Sequence, residues 1–184
     1  MKRILDLIIV IILLIIFLLP IIIIFLILKF FYKTNPIYIS KRIGKNNKIF
    51  LMPKFITMLE NAPQVATNKI NIKYITKFGK FLRKTSLDEL PQLITVLLGN
   101  MSLVGPRPAL YNQKKLIFLR KKKNIHTLNP GITGWAQING RDKNSIYKKV
   151  NLDYFYYNNV SIKLDIRIIF LTAVRIFNYK NILH

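Results

Sequence analysis

Residues 7–28 read LIIVIILLIIFLLPIIIIFLIL, a run that contains no charged side chain. At about 1.5 Å of rise per residue, a helix of this length would just cross a hydrocarbon core of roughly 30 Å. The run is too long and too hydrophobic for a signal peptide, and no small-residue cleavage site follows it. The sequence therefore predicts an N-terminal membrane helix.

Pro20 lies inside this run, and basic residues flank it at both ends. Proline removes a backbone donor and clashes with the preceding turn, so the helix is expected to kink or break there. The residues alone favour a kinked helix that spans the bilayer. A re-entrant helix, which bends at Pro20 and returns to the same face, better explains the two basic flanks, because such residues prefer the cytoplasmic side. The flanking residues are Lys2, Arg3, Lys29 and Lys33.

The remainder of the chain is strongly cationic. Thirty Lys and Arg against seven Asp and Glu give a formal charge of +23, of which residues 1–33 carry +3 and the rest +20. Such a surface attracts phosphate-rich partners, namely anionic lipid headgroups, nucleotides or nucleic acid. The absence of cysteine excludes disulfides and thiolate metal sites. After the membrane segment, the length suffices for one compact domain.

Periodicity and turn residues predict the elements of this domain. Apolar runs around Gly44–Asn47 predict a β-hairpin over residues 36–50, and the polar segment 59–70 predicts a loop. Residues 162–177 mix apolar and charged side chains, which is typical of an amphipathic helix in the membrane interface. Further helices are predicted over residues 72–82, 88–98, 110–123 and 145–157, and turns over 129–141.

Two adjacent carboxylates, Asp88 and Glu89, stand at the predicted start of the 88–98 helix. Pro91 is tolerated only in a first turn, which places the helix start near Asp88. The positive end of the helix dipole would favour ionised carboxylates, and an ionised Asp can attack phosphorus. Glu89 could then hold a divalent metal such as magnesium. The alternative is a plain capping box formed by Ser86 and Glu89.

Three further segments contain possible anion-binding groups. Arg107 lies between Pro106 and Pro108, which restrict its backbone, and a guanidinium suits bidentate phosphate contact. Lys54 could contact phosphate, or could be a solvated surface lysine. The segment 129–135 could present amides to an anion and stack Trp135 on a base, or could form a structural turn with a core tryptophan.

Five motifs, taken in their order along the chain, resemble those of the bacterial sugar transferases, and more closely those of the small monotopic phosphoglycosyl transferases of the PglC type. The resemblance extends from Arg3 to about Phe177. Where that family often has a serine before the membrane proline, this chain has Leu19. The motifs are Lys54–Phe55, Ser86–Leu93, Met101–Pro108, Pro130–Gln137 and Asn139–Arg141.

The resemblance implies an enzyme that moves a phosphosugar from a UDP-sugar to polyprenol (undecaprenyl) phosphate and releases UMP. Asp88 would be the nucleophile that forms a covalent intermediate, and Glu89 would be the Mg²⁺ ligand. Arg107, Lys54 and Arg141 would bind phosphate or substrate. Asp153 and Asp165 match acidic family positions whose role the resemblance leaves open.

The resemblance also implies a mainly α fold with a small β-hairpin (α+β), a re-entrant helix broken at Pro20, and interfacial amphipathic helices. Residues 1–33 would form the membrane helix and residues 34–184 a catalytic domain on the cytoplasmic face of the bacterial inner membrane. Expected partners are the UDP-sugar, the polyprenol phosphate and anionic lipid but not nucleic acid; a homodimer is left open. The rival hypothesis is a non-enzymatic, membrane-anchored basic module that binds anionic lipid or nucleic acid.

Overall fold

Helices predominate over two small sheets in the computed structural model, which describes residues 1–59, 62, 72–140 and 144–177. This mixture of helices and small sheets confirms the coarse fold class. The helices are α1 (Lys2–Leu26), α2 (Lys77–Thr85), α3 (Gln92–Leu97), α4 (Lys114–Lys122), α5 (Trp135–Ile138), α6 (Ile146–Asn158) and α7 (Ile162–Phe177). The strands are β1 (Ile37–Ile43), β2 (Ile49–Phe55), β3 (Ser102–Val104), β4 (Ala109–Leu110) and β5 (Gly131–Thr133).

The predicted hairpin is formed by β1 and β2, which pair antiparallel from Ile37 opposite Phe55 to Ile43 opposite Ile49. Strand β4 adds to the free edge of β1, giving the order β2-β1-β4. The second sheet, the parallel pair of β3 and β5, was not predicted, because both strands are only three residues long. The predicted 59–70 loop falls largely outside the described residues.

Helix α1 continues through Pro20 to Leu26 and is followed by one turn of π-helix, Ile27–Phe31. Helical structure is thus assigned on both sides of Pro20. Proline removes an intrahelical hydrogen bond and clashes with the preceding turn, and the kink or break at Pro20 stays a prediction. Among the described residues, one helix, Lys2–Phe31, is long and apolar enough to cross a membrane. The re-entrant course stays a prediction.

The first turns of α1 are fixed to the body of the protein by polar contacts. Lys2 Nζ lies 2.6 Å from Asp165 Oδ2 on α7. Arg3 donates to the carbonyl oxygens at the end of α3, and the buried Asp6 carboxylate accepts a hydrogen bond of 2.7 Å from Ser102 Oγ on β3. Asp165, whose role the sequence left open, thus links α1 to α7.

The last turns of α1 also pack against the body. Ile24 and Leu28 form a hydrophobic cluster with Phe55 and Leu82, whereas Val10 lies in the main core with Phe50. From Val10 to Ile24 the helix rises about 21 Å. Its packing partners in the body include α3 and β3. Both ends of this apolar segment therefore contact the body, while its middle is exposed over Ile11, Ile12, Ile15, Ile16, Leu18, Leu19, Ile22 and Ile23.

Candidate active site

Asp88 and Glu89 lie in a tight turn between α2 and α3. Ser86 adopts a left-handed conformation (φ 59°), and residues Leu87–Glu89 form one turn of 3-10 helix. Helix α3 begins only at Gln92, so the prediction of a helix starting near Asp88 is wrong by one turn. The side chain of Ser86 makes no capping hydrogen bond, so the described turn contains no capping box.

The structure brings four of the five predicted site residues together. Lys54 Nζ on β2 lies 2.6 Å from Glu89 Oε1 and 4.0 Å from Asp88 Oδ2. Arg107 Nη2 lies 3.6 Å from the same Glu89 oxygen. The fifth residue, Arg141, lies outside the described residues. Since one Glu89 carboxylate contacts two cations, the cluster is a network and not an isolated ion pair.

The loop that carries Arg107 is held by close backbone contacts with the segment around β5. Gly105 N donates to Thr133 O, and Gly131 N donates to Pro106 O at 3.0 Å. A Cβ on Gly131 would lie 2.1 Å from Gly105 N, so only glycine permits this approach. The amide of Gly131 thus serves the loop, which supports the structural interpretation of segment 129–135.

The side chain of Trp135 is also packed within the protein. Its ring stacks on Phe155 of α6 with centroids 5.1 Å apart, and it packs against the main core. The guanidinium of Arg167, which is on α7, lies 6.0 Å from the centroid of the Trp135 ring. These contacts join α5, α6 and α7, so we assign the tryptophan to packing.

Two arginines that the sequence did not single out also belong to the site. Arg42 shares the hairpin face of Lys54, because both occupy even positions of the paired strands. Burial, and secondly the charge of Arg107, lower the pKa of Arg42 to about 10. Burial also lowers the pKa of Arg83, whose Nε donates to Thr57 Oγ1 at 2.8 Å, while Asp88 opposes this shift. Strand periodicity could have identified Arg42 once the register was known.

The Asp88 carboxyl is buried, with a residue exposure of 8%. Burial raises its pKa to about 6, and the neighbouring Glu89 adds to the shift. Lys54, followed by Arg83 and Arg107, opposes it. The expectation that a helix dipole would favour ionisation does not describe this site, because α3 is short, starts later, and the desolvation of Asp88 dominates.

The site thus combines a buried carboxylate with four cations, and such cations can bind a phosphate ester. A comparison with known protein families decides the membership: the family model for bacterial sugar transferases matches residues 1–179. The chain belongs to the bacterial sugar transferase family.

Relatives within the bacterial sugar transferase family carry related names. An uncharacterized sugar transferase of Bacillus subtilis, EpsL, is 42% identical over 77% of this chain and 70% of its own length. A UDP-glucose:undecaprenyl-phosphate glucose-1-phosphate transferase of Xanthomonas campestris pv. campestris is 40% identical over 79% of this chain and 32% of its own. A UDP-N-acetylgalactosamine-undecaprenyl-phosphate N-acetylgalactosaminephosphotransferase of Aeromonas hydrophila is 34% identical over 74% and 34%. The chain thus matches about a third of the length of these last two sugar transferases.

Proposed function

We propose that the protein is a phosphoglycosyl transferase that moves a phosphosugar from a UDP-sugar to undecaprenyl phosphate. The observation that carries this proposal is the buried Asp88 carboxylate beside Lys54, Glu89 and Arg107. Membership of the bacterial sugar transferase family and the names of its relatives supply the substrate classes. The product would be a polyprenyl diphosphate sugar, which starts the assembly of a glycoconjugate.

In the first step, an Asp88 carboxylate oxygen attacks the phosphorus that bears the sugar. The bond from this phosphorus to the bridging oxygen breaks, and UMP leaves with that oxygen. Lys54 and Arg107, which flank the carboxylates, stabilise the negative charge on the transferred and departing phosphates. The result is a phosphosugar esterified to Asp88.

In the second step, an oxygen of the polyprenol phosphate attacks the same phosphorus. The bond to Asp88 breaks, which restores the carboxylate and releases the lipid diphosphate sugar. Neither step needs a proton transfer, because the attacking oxygen is already ionised in both. The acceptor is a lipid, whereas the donor is soluble, so the site must lie at headgroup depth.

A Mg²⁺ ion fits the chemistry of this donor set. Glu89 supplies carboxylate oxygens, and Mg²⁺ in proteins is commonly bound by one or two carboxylates together with substrate phosphates. Bound by Glu89 and the donor diphosphate, the ion would offset charge on the departing UMP. Lys54, 2.6 Å from Glu89 Oε1, would orient that carboxylate.

The packing of α1 supports a monotopic position on the cytoplasmic face of the bacterial inner membrane. A helix that spans the bilayer would present only one end to a cytoplasmic domain, whereas α1 contacts the same body at both ends. Helix α7 adds exposed apolar side chains, Ile166 and Phe170, next to cations, which suits an interfacial position. We therefore favour a membrane helix that enters and leaves through the same face.

The pH dependence of turnover is expected to follow Asp88. Because the carboxylate is the attacking form and its pKa is raised to about 6, kcat/KM should fall as the pH drops through about 6 and be constant above it. Initial rates of UMP release between about pH 5 and pH 8 measure this profile. A kcat/KM that stays constant down to about pH 5 would contradict the raised pKa of Asp88.

The proposal is tested by UMP release from the purified full chain with Mg²⁺, undecaprenyl phosphate and a panel of UDP-sugars. UMP from one donor, dependent on the acceptor lipid, would support the reaction and identify the sugar. If no donor yields UMP from folded protein, the reaction is excluded for that panel. Salt-sensitive binding to anionic vesicles or nucleic acid would then favour the basic-module hypothesis.

A further inference from the structure

Arg120 is an unusual member of the basic helix α4. Its neighbours Lys121 and Lys122 are exposed, but only 11% of the Arg120 side chain is accessible. It faces Asp153 on α6, which is 2% exposed, with Arg120 Nη2 and Nε lying 2.7 and 3.0 Å from Asp153 Oδ2. Removing two charges from water is costly, so such a pair calls for an explanation beyond stability.

The third guanidinium nitrogen of Arg120, Nη1, makes a contact that supplies that explanation. Arg120 Nη1 donates a hydrogen bond of 2.8 Å to the backbone carbonyl of Arg107. Arg107 stands between two prolines, and the carbonyl of Pro106 before it is already held by Gly131 N. The backbone of Arg107 is thus fixed at two successive carbonyl groups, while its side chain reaches Glu89.

We propose that Arg120, oriented by Asp153, is a positioning residue that directs Arg107 at the diphosphate of the donor. The inference rests on the proposed function for the identity of the ligand. It assigns Asp153 a role that the sequence left open. The pair acts through the Arg107 carbonyl and does not itself touch substrate.

A double variant separates positioning from folding. Arg120→Met with Asp153→Leu replaces the buried ion pair by apolar side chains of similar size, a change that is often neutral for stability. The bond to the Arg107 carbonyl is lost in this variant. We expect wild-type thermal stability but about tenfold weaker binding of UDP, measured by calorimetry on the full chain in detergent micelles, because a small misplacement of a binding group is costly.

Adding Arg107→Ala to the double variant tests whether the loss of UDP affinity acts through Arg107. If the pair acts through Arg107, the triple variant binds UDP no more weakly than Arg107→Ala alone, because coupled residues are not additive. Lys123→Met is the matched control: Lys123 joins the same two helices through Asn151 Oδ1 at 2.9 Å, without reaching the loop. It should bind UDP as wild type does.

Two results would overturn the positioning role: a stable double variant with wild-type UDP affinity, or an equal loss of affinity with and without Arg107. Should the double variant not fold, Arg120→Lys, which retains the charge but not the three-way guanidinium, serves instead, and wild-type affinity in it would also overturn the proposal. Since UDP binding needs no turnover, a positive result without UMP release would reject the proposed reaction and retain the positioning role. UMP release together with additive losses of UDP affinity would support the proposed reaction and reject the positioning role.

Discussion

Asp88→Asn is expected to lower UMP release by at least about 10³-fold, because the amide cannot attack phosphorus and no other described carboxylate occupies its place. The substitution removes a charge from a buried position, so the folded state should be retained. UDP binding should also persist, because Lys54 and Arg107 still face Glu89. Steady-state UMP release and calorimetric UDP titration measure the two effects.

The covalent intermediate offers a sharper criterion than the rate. With the UDP-sugar and Mg²⁺ but without the lipid acceptor, the wild-type peptide that contains Asp88 should gain the mass of one phosphosugar. Asp88→Asn should show no adduct, whereas Glu89→Gln should form it slowly. An adduct on the asparagine variant, or turnover above about a tenth of wild type, would exclude Asp88 as the nucleophile.

Glu89→Gln is expected to lower kcat by about 10²-fold and to require more Mg²⁺ for half-maximal rate, because a neutral amide is a weaker ligand than a carboxylate. The variant should also move the acidic limb of the kcat/KM profile below pH 6. Glu89 contributes to the raised pKa of Asp88, so removing its charge lets Asp88 ionise more easily. Rates across pH and Mg²⁺ concentration measure both changes.

Lys54→Met is expected to shift the acidic limb of the kcat/KM profile in the opposite direction, so it is a control for the Glu89→Gln prediction. Lys54 is the main cation that stabilises the Asp88 carboxylate, so its removal should move the acidic limb above pH 6. Opposite shifts would show that the limb reports the titration of Asp88. Shifts in the same direction would mean that another group controls the profile.

Much of the site could be predicted from sequence because its parts are local. The order of the Asp88 and Arg107 motifs indicated the family, and the hairpin that carries Lys54 followed from apolar runs around a turn. The contact between Lys54 and Glu89 joins residues 35 positions apart, and the family resemblance, not periodicity, indicated that they belong together.

The protonation of Asp88 could not be predicted in the same way. The start of a helix, and with it the dipole, can be predicted from a sequence, but the burial of Asp88 depends on the residues that pack over its turn. Arg42 and Arg120 were missed because a chain with thirty basic residues gives no local reason to choose among them. Their roles depend on strand register and on helix packing, which bring together residues such as Arg120 and Asp153, 33 positions apart.

The docking of α1 has a consequence for the biogenesis of the protein. This helix leaves the ribosome before the residues that it contacts, yet Asp6 bonds Ser102, 96 positions later, and Lys2 bonds Asp165, 163 positions later. Until those partners are translated, the charged groups of Lys2 and Asp6 must be solvated in another way. The docking of α1 is therefore completed only when nearly the whole described chain has been made.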